Sequence, residues 1–431
     1  PPIELSAIAA GSGGFVINGQ GNSDYSGYSV SSAGDVNGDG LIDLIVGAYG
    51  GDPTANSNAG RSYVVFGKTS TTSIDLSAVT AQTGGFVING QFANDSSGRS
   101  VSSAGDVNGD GLADLIVGAD LSDPNNITDA GRSYVVFGKT SGDVIELSAL
   151  PGSASGFLIN GDGSVSSSGF SVSGAGDVNG DGFADVIVGV YKGLGSAGRS
   201  YVVFGKANGA TVELSDVLNS TGGFVINGDI SGSKSGYSVS AAGDVNGDGL
   251  GDLIVGAYQS NNSGGRSYVI FGSTSGAFRE TAVDWLGTDG DETQDDAGVA
   301  KTLVAGAGND VLTATAASVL YGGAGNDTLI VNATLLAALQ SPLGKGGNDD
   351  RLSRVDGGTG IDMLALSGSR QQLDLSAIAD TRLQSIEHID LTGSGNNLLR
   401  VTAEDVQALT GMNWLNSSTA SSLGWTSTGY T

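Results

Sequence analysis

The sequence predicts an all-β protein: a β-propeller of four blades over residues 1–275, an acidic linker over 276–300 and a β-rich module over 301–431. Three observations predict it. A hairpin motif, Asp-Val-Asn-Gly-Asp-Gly-x-x-Asp, recurs with its first Asp at 35, 106, 177 and 244, steps of 71, 71 and 67 residues. Each repeat holds the same short apolar segments, rich in β-branched and aromatic residues, and none keeps a helical period. Gly is abundant, 74 of 431 residues, with no collagen-like spacing, so it marks turns.

The elements follow in order. In the first repeat the strands are Gly14-Phe-Val-Ile-Asn-Gly19, Tyr28-Ser-Val-Ser31, Asp43-Leu-Ile-Val-Gly47 and Arg61-Ser-Tyr-Val-Val-Phe-Gly67. Four short strands in such a unit describe one blade. The fourth repeat stops after Ser267-Tyr-Val-Ile-Phe-Gly272, and no fifth Phe-Val-Ile-Asn-Gly follows. The first strand is therefore expected to complete the last blade and close a four-bladed ring, which would remove exposed edges.

The hairpins carry oxygen ligands at alternate positions. In the first, the expected donors are the side chains of Asp35, Asn37, Asp39 and Asp43 and the backbone carbonyl of Leu41. The second offers Asp106, Asn108, Asp110, Leu112 and Asp114, and the third Asp177, Asn179, Asp181, Phe183 and Asp185. The fourth offers Asp244, Asn246, Asp248, Leu250 and Asp252. Oxygen-only sets in a flexible loop suit Ca²⁺ better than Mg²⁺. An EF-hand would need Glu at position 12 and a helix after it, but Val46, Val117, Val188 and Val255 stand there inside strands. Asn-Gly and Asp-Gly also make good turns on their own. Four loops with three Asp and one Asn each favour the cation.

These repeats resemble FG-GAP repeats, the units of the integrin α-subunit propeller and of bacterial surface proteins. The resemblance rests on Ser-Gly-Tyr-Ser-Val-Ser at 26–31, Ala33-Gly-Asp-Val-Asn-Gly-Asp-Gly and Asp43-Leu-Ile-Val-Gly-Ala48, and covers about residues 10–272. It implies that the loops opposite the calcium hairpins form a ligand face. Tyr49, Asp120, Tyr191 and Tyr258 occupy the equivalent positions there and are the candidate ligand-binding residues. Arg61, Arg132, Arg199 and Arg266 open equivalent strands, and a structural role beside the acidic loops is expected of them.

Beyond residue 275, Gly306-Ala-Gly-Asn-Asp310, Gly322-Gly-Ala-Gly-Asn-Asp-Thr-Leu-Ile330 and Gly357-Gly-Thr-Gly-Ile-Asp-Met-Leu-Ala365 resemble the calcium-binding nonapeptides of RTX proteins. That resemblance implies a short β-roll with Asp310, Asp327 and Asp362 as further Ca²⁺ ligands. Gly346-Gly-Asn-Asp349 reads as a loop, and Thr402–Leu409 as a short helix with Thr402 and Asp405 as its capping pair. Trp285, Trp414 and Trp425 fall outside the repeats, as satellite core.

Composition limits function. Lys and Arg number 18 against 45 Asp and Glu, a net charge of −27, which argues against nucleic acid and anionic membrane as partners. There is no Cys, which excludes disulfides and thiolate chemistry. His388 is the single histidine, flanked by Ile386 and Ile389, and reads as an ordinary strand residue. Opening on Pro1, the sequence reads as a processed product or a fragment. The expectation is a non-enzymatic, extracellular, type I-secreted calcium-binding module that adheres to a glycan or protein. A structural subunit contacting copies of itself and an accessory propeller of a secreted hydrolase are the alternatives.

Overall fold

Short β-branched segments between Gly-rich turns fold as antiparallel sheets. In the first repeat Ser29–Gly34, Asp43–Ala48 and Arg61–Val65 pair in sequence order. The structure is a computed structural model and describes residues 2–401, except 54–56, 164, 207, 248–249, 274–275, 279–283, 289, 342–344, 347–350, 359 and 379–381. It is mostly β and divides into two compact units, Pro1–Leu286 with Gly347–Leu352, and Gly287–Gly346 with Ser353–Thr431.

In the first unit each of the first three sheets borrows its fourth strand from the following repeat. Gly85–Asn89 lies antiparallel to Arg61–Val65, Gly156–Asn160 to Arg132–Val136, and Gly223–Asn227 to Arg199–Val203. The hydrophobic core lies between consecutive sheets. Ile45, Val64 and Phe86 of the first meet Leu115, Val117 and Tyr134 of the second, and the second meets the third, and the third the fourth, in the same way. Fully buried β-branched and aromatic side chains fill each seam, at roughly 1.5–3 kcal/mol apiece.

Among the described residues, strand pairing does not close the expected ring. Arg266–Ile270 is the edge of a three-stranded sheet. Ile17–Asn18 pairs instead with Ile74–Asp75, in parallel. Three repeat-to-repeat pairings link the four sheets, and the pairing that would have joined the last to the first is the one missing.

Two recurrent elements went unread in the sequence. A two-residue strand, Ile74–Asp75, Ile145–Glu146 or Val212–Glu213, runs parallel to the outer strand of the preceding repeat. A short helical turn follows it, as in Leu76–Thr80 and Leu214–Leu218, and buries Leu76 and Val79, or Leu214 and Val217.

The second unit is a stack of parallel turns. One ladder runs through Thr293–Asp295, Val311–Ala314, Thr328–Val331, Met363–Leu366 and His388–Asp390. The other runs through Thr302–Val304, Val319–Tyr321, Arg354–Asp356 and Leu383–Gln384. Leu303, Leu312, Leu320, Leu329, Val355 and Leu364 are fully buried in it. Gly323 and Gly358 turn at φ +97° and +88°, where a Cβ would strike the carbonyl of Gly306 or Gly323 one turn away. Asn332 caps the helix Ala333–Leu339, its Oδ1 accepting the Thr334 and Leu335 amides at 2.9 and 3.1 Å. The stretch expected to be a linker is in part this ladder's first rung, since Thr293–Asp295 pairs with Val311–Thr313. Its acidic, Gly-rich composition is that of the turns themselves. Of the loop expected over 346–349, Gly346 ends the two-residue strand Lys345–Gly346, and 347–349, the helix at 402–409, Trp414 and Trp425 lie outside the described residues.

Candidate functional site

The acidic hairpins are held by their own carboxylates. Asp35 Oδ1 accepts the Gly38 and Asp39 amides at 2.7 and 3.1 Å, and its Oδ2 accepts that of Gly40 at 2.8 Å. Asn37 Oδ1 accepts the Asp39 amide, and Asp39 Oδ1 that of Leu41, both at 2.9 Å. Gly38 and Gly40 make this winding possible, at φ +76° and +85°. The turns at Asp106–Asp110 and Asp177–Asp181 repeat it bond for bond. In the fourth hairpin Asp244 Oδ1 accepts the Gly247 amide at 2.7 Å, and Asp248 lies outside the described residues.

The ninth residue of each hairpin is a buried staple. Asp43 has no exposure, and its two oxygens accept the Val36 amide at 3.0 Å and the Gly67 amide at 2.7 Å. Asp114 holds Val107 and Gly138, Asp185 holds Val178 and Gly205, and Asp252 holds Val245 and Gly272. Burial pushes the Asp43 carboxyl up to about 6, with the charges of Asp39 and Asp35 adding to it and the two amides opposing. Burial also drives Asp114 and Asp185 well above the usual carboxylate range. The Gly67, Gly138, Gly205 and Gly272 amides were missed in the sequence; the signal was the Phe-Gly pair closing every repeat.

Consecutive hairpins are joined through backbone. The Asp35 carbonyl accepts the Ala113 amide at 3.0 Å, that of Asp106 the Ala184 amide at 2.9 Å, and that of Asp177 the Gly251 amide at 2.8 Å. Among the described residues no three of His, Cys, Asp and Glu converge as a preformed metal cluster. The side-chain donors are nonetheless all oxygen, Asp35 Oδ2 and its counterparts accept a single amide each and keep a second lone pair, and a cation would offset both the burial that raises Asp43 and the lesser repulsion from Asp39 and Asp35. The hairpins fit a hard cation on those grounds.

At the far end of the same strands a row of aromatic rings runs over the first, third and fourth sheets, bridged at the second by Arg99. Tyr49 stacks on Tyr25 at 5.1 Å and meets Tyr28 edge-on at 4.8 Å. The Arg99 guanidinium lies over Tyr28, Tyr49 and Phe170, at 6.0, 5.9 and 5.1 Å. Phe170, Tyr191, Tyr237 and Tyr258 continue the row at 4.5 to 5.3 Å between ring centroids. Tyr25, Tyr28, Tyr237 and Tyr258 are exposed, and Tyr49 and Tyr191 are half-buried among them. Asp120 is buried, its Oδ1 3.7 Å from the Arg99 Nε, and stands behind the row as the charge partner of Arg99. Burial raises its carboxyl, and Arg99 counters that. The structure thus brings Tyr49, Tyr191 and Tyr258 into one row and adds Tyr25, Tyr28, Arg99, Phe170 and Tyr237. Four of those five were legible as Tyr, Arg, Phe and Tyr at one repeat position.

The repeat arginines do not serve the hairpins. Arg61, Arg132 and Arg199 donate Nε to Asn89, Asn160 and Asn227 of the adjoining outer strands, because Arg and Asn stand directly opposite in the register.

In the second unit the three expected ligands stand one above another. Asp327 Oδ1 accepts the Asp310 amide at 2.8 Å, and Asp362 Oδ1 the Asp327 amide at 2.7 Å. Asp310 Oδ2, Asp327 Oδ2 and Asp362 Oδ2 are buried without a hydrogen-bond partner. Burial pushes Asp327 up to about 6 and Asp362 up to about 7, and it raises Asp310 too, with Glu292 adding its charge. Three orphaned carboxylate oxygens beside glycine turns fit an oxygen-seeking cation. His388 is exposed on its strand.

The FG-GAP repeat profile matches residues 26–65, 97–136, 168–203 and 235–270. Comparison with curated proteins gives no significant match.

Proposed function

We propose, taking the four FG-GAP repeats as premise, that the chain is a non-enzymatic, calcium-binding recognition module of a secreted bacterial surface protein. In this reading the first unit is an incomplete propeller, stiffened by Ca²⁺ at one end and binding an extracellular glycan at the other. Asp35, Asn37, Asp39, Asp43 and the Leu41 carbonyl, with their counterparts in the other repeats, would hold the ions. Asp310, Asp327 and Asp362 would hold more in an RTX-like roll. The ion supplies charge neutralisation and rigidity, and no chemistry on a substrate is required of it.

The observation that carries this reading is the aromatic row. Exposed tyrosines in a rigid line offer flat apolar faces rimmed by hydroxyls, which suit the faces of sugar rings. Aromatic anchors of this kind dominate binding energies, about 2 kcal/mol or more each where they are central. A glycan array probed with and without chelator tests it. Tyr28→Ala and Tyr258→Ala should each weaken binding about tenfold or more. Binding that neither substitution moves, or no glycan bound at any Ca²⁺ level, would defeat the reading. Turnover on a polysaccharide panel would instead favour an accessory role in a hydrolase.

A further inference from the structure

Three joints between consecutive repeats are built from the same pieces. Phe66 meets Phe86, Phe137 meets Phe157 and Phe204 meets Phe224, with ring centroids 6.0, 6.1 and 6.0 Å apart. Arg61 donates to Asn89, Arg132 to Asn160 and Arg199 to Asn227, at 3.2, 2.8 and 3.0 Å. Leu76, Leu147 and Leu214, just before each outer strand, are fully buried.

The pieces of a fourth joint are present and unjoined. Phe271 is 52 % exposed, beside Arg266 on the open edge strand, while Leu5 is 80 % exposed on the segment that also carries Phe15 and Asn18. The glycines tell the same story. A Cβ on Gly98, Gly169 or Gly236 would press against the carbonyl of Arg61, Arg132 or Arg199, whereas one on Gly27 would meet nothing within 4 Å. At the other flank a Cβ on Gly34 or Gly105 would meet Ala113 or Ala184, and one on Gly243 nothing. Ile17–Asn18 is paired on one side by Ile74–Asp75, as the other outer strands are by their own short parallel partners, and lacks only its antiparallel neighbour.

We propose that the fourth joint forms between two copies of this chain. Residues 3–18 of one copy add antiparallel to Arg266–Ile270 of another, with Asn18 opposite Arg266, Phe15 against Phe271 and Leu5 in the seam. The chain itself specifies the occupant. The strand covering this edge in all three complete sheets is Gly-Phe-Val-Ile-Asn or Gly-Phe-Leu-Ile-Asn, and Gly14–Asn18 is the remaining copy. The new interface continues the blade-to-blade core already in place. Being head-to-tail, it closes into a ring or runs on as a filament according to the rotation at each joint.

Because the chain has no Cys, introduced thiols report without background. Opposed residues of antiparallel strands lie about 4.5–5.5 Å apart at Cα, within the range of about 4.4–6.8 Å that a disulfide spans. Asn18→Cys and Arg266→Cys are made in separate full-length chains, one with a size tag, mixed in Ca²⁺ and oxidised. The expected result is a tagged–untagged heterodisulfide that outweighs either homodisulfide, together with a wild-type sedimentation mass of two or more chains. Phe15→Arg should return that mass to one chain without changing the secondary structure seen by circular dichroism. Overturning results are a wild type of single-chain mass, or no preference for the heterodisulfide. So is a chain carrying both cysteines that links only to itself, which is closure within one molecule.

Discussion

Asp114 shows how much one side chain does in each repeat. It is fully buried, yet both oxygens accept backbone amides, from Val107 and Gly138 at 2.8 Å each. Asp114→Asn keeps the shape but turns an N–H₂ toward an N–H, leaving a buried donor unmatched. A loss of about 1–3 kcal/mol is expected in urea unfolding, and an unchanged midpoint would contradict the staple. Lys206 gives a pH signature. Its ammonium reaches the Ala210 carbonyl and lies 4.4 Å from the Phe157 ring, and burial pushes it down to about 8. The unfolded chain keeps this proton up to about pH 10.4, so folding is penalised below pH 8 and the penalty fades as pH rises toward 10. Lys206→Met should therefore raise Tm at pH 7 and lose that advantage by pH 10. A difference flat across that range would count against a buried ammonium. Asp120 marks the limit of reading single residues: its repeat position predicted a ligand-facing group, but only coordinates reveal Arg99 beside it.

At the scale of elements, the helix Leu76–Thr80 and the segment Leu5–Ala9 have nearly the same sequence and opposite surroundings. Leu76 is fully buried and Leu5 is 80 % exposed. Leu76→Ala should cost about 2–5 kcal/mol, and Leu5→Ala no more than about 0.5 in the single chain. Equal effects in denaturant titration would mean the two are equally packed. In the second unit, Gly323→Ala would drive a Cβ into the Gly306 carbonyl at φ +97°, and should unfold the parallel stack before the antiparallel unit in a thermal scan. The strands were legible because β-branched runs between Gly-rich turns recur four times. The five-residue helices were not, since they are too short to show a period. The two-residue parallel strands carry no pattern at all. The hairpin carboxylates were legible as a set of turn residues, whereas the Gly amides that hold the ninth Asp are distant in sequence and came only with the fold.

For the whole molecule, the proposed cation sites, once filled, would together bear on stability more than any single side chain does. Ca²⁺ at about 100 times its Kd stabilises by about 2.7 kcal/mol per site, against a net domain stability of about 5–15 kcal/mol. Chelation should lower Tm by several degrees or more, and an unmoved Tm would remove the metal from the account. Ring closure was misread because local sequence encodes each joint but not the angle it leaves. One further consequence follows from the Asp35, Asp106 and Asp177 carbonyls, each of which receives an amide from the hairpin after it. A cation that tightens one loop draws on the peptide anchoring its neighbour, so occupancy is expected to spread along the row. Calorimetric titration should then give a steeper isotherm than identical independent sites allow, with partial filling rare and the row switching between slack and taut as a whole.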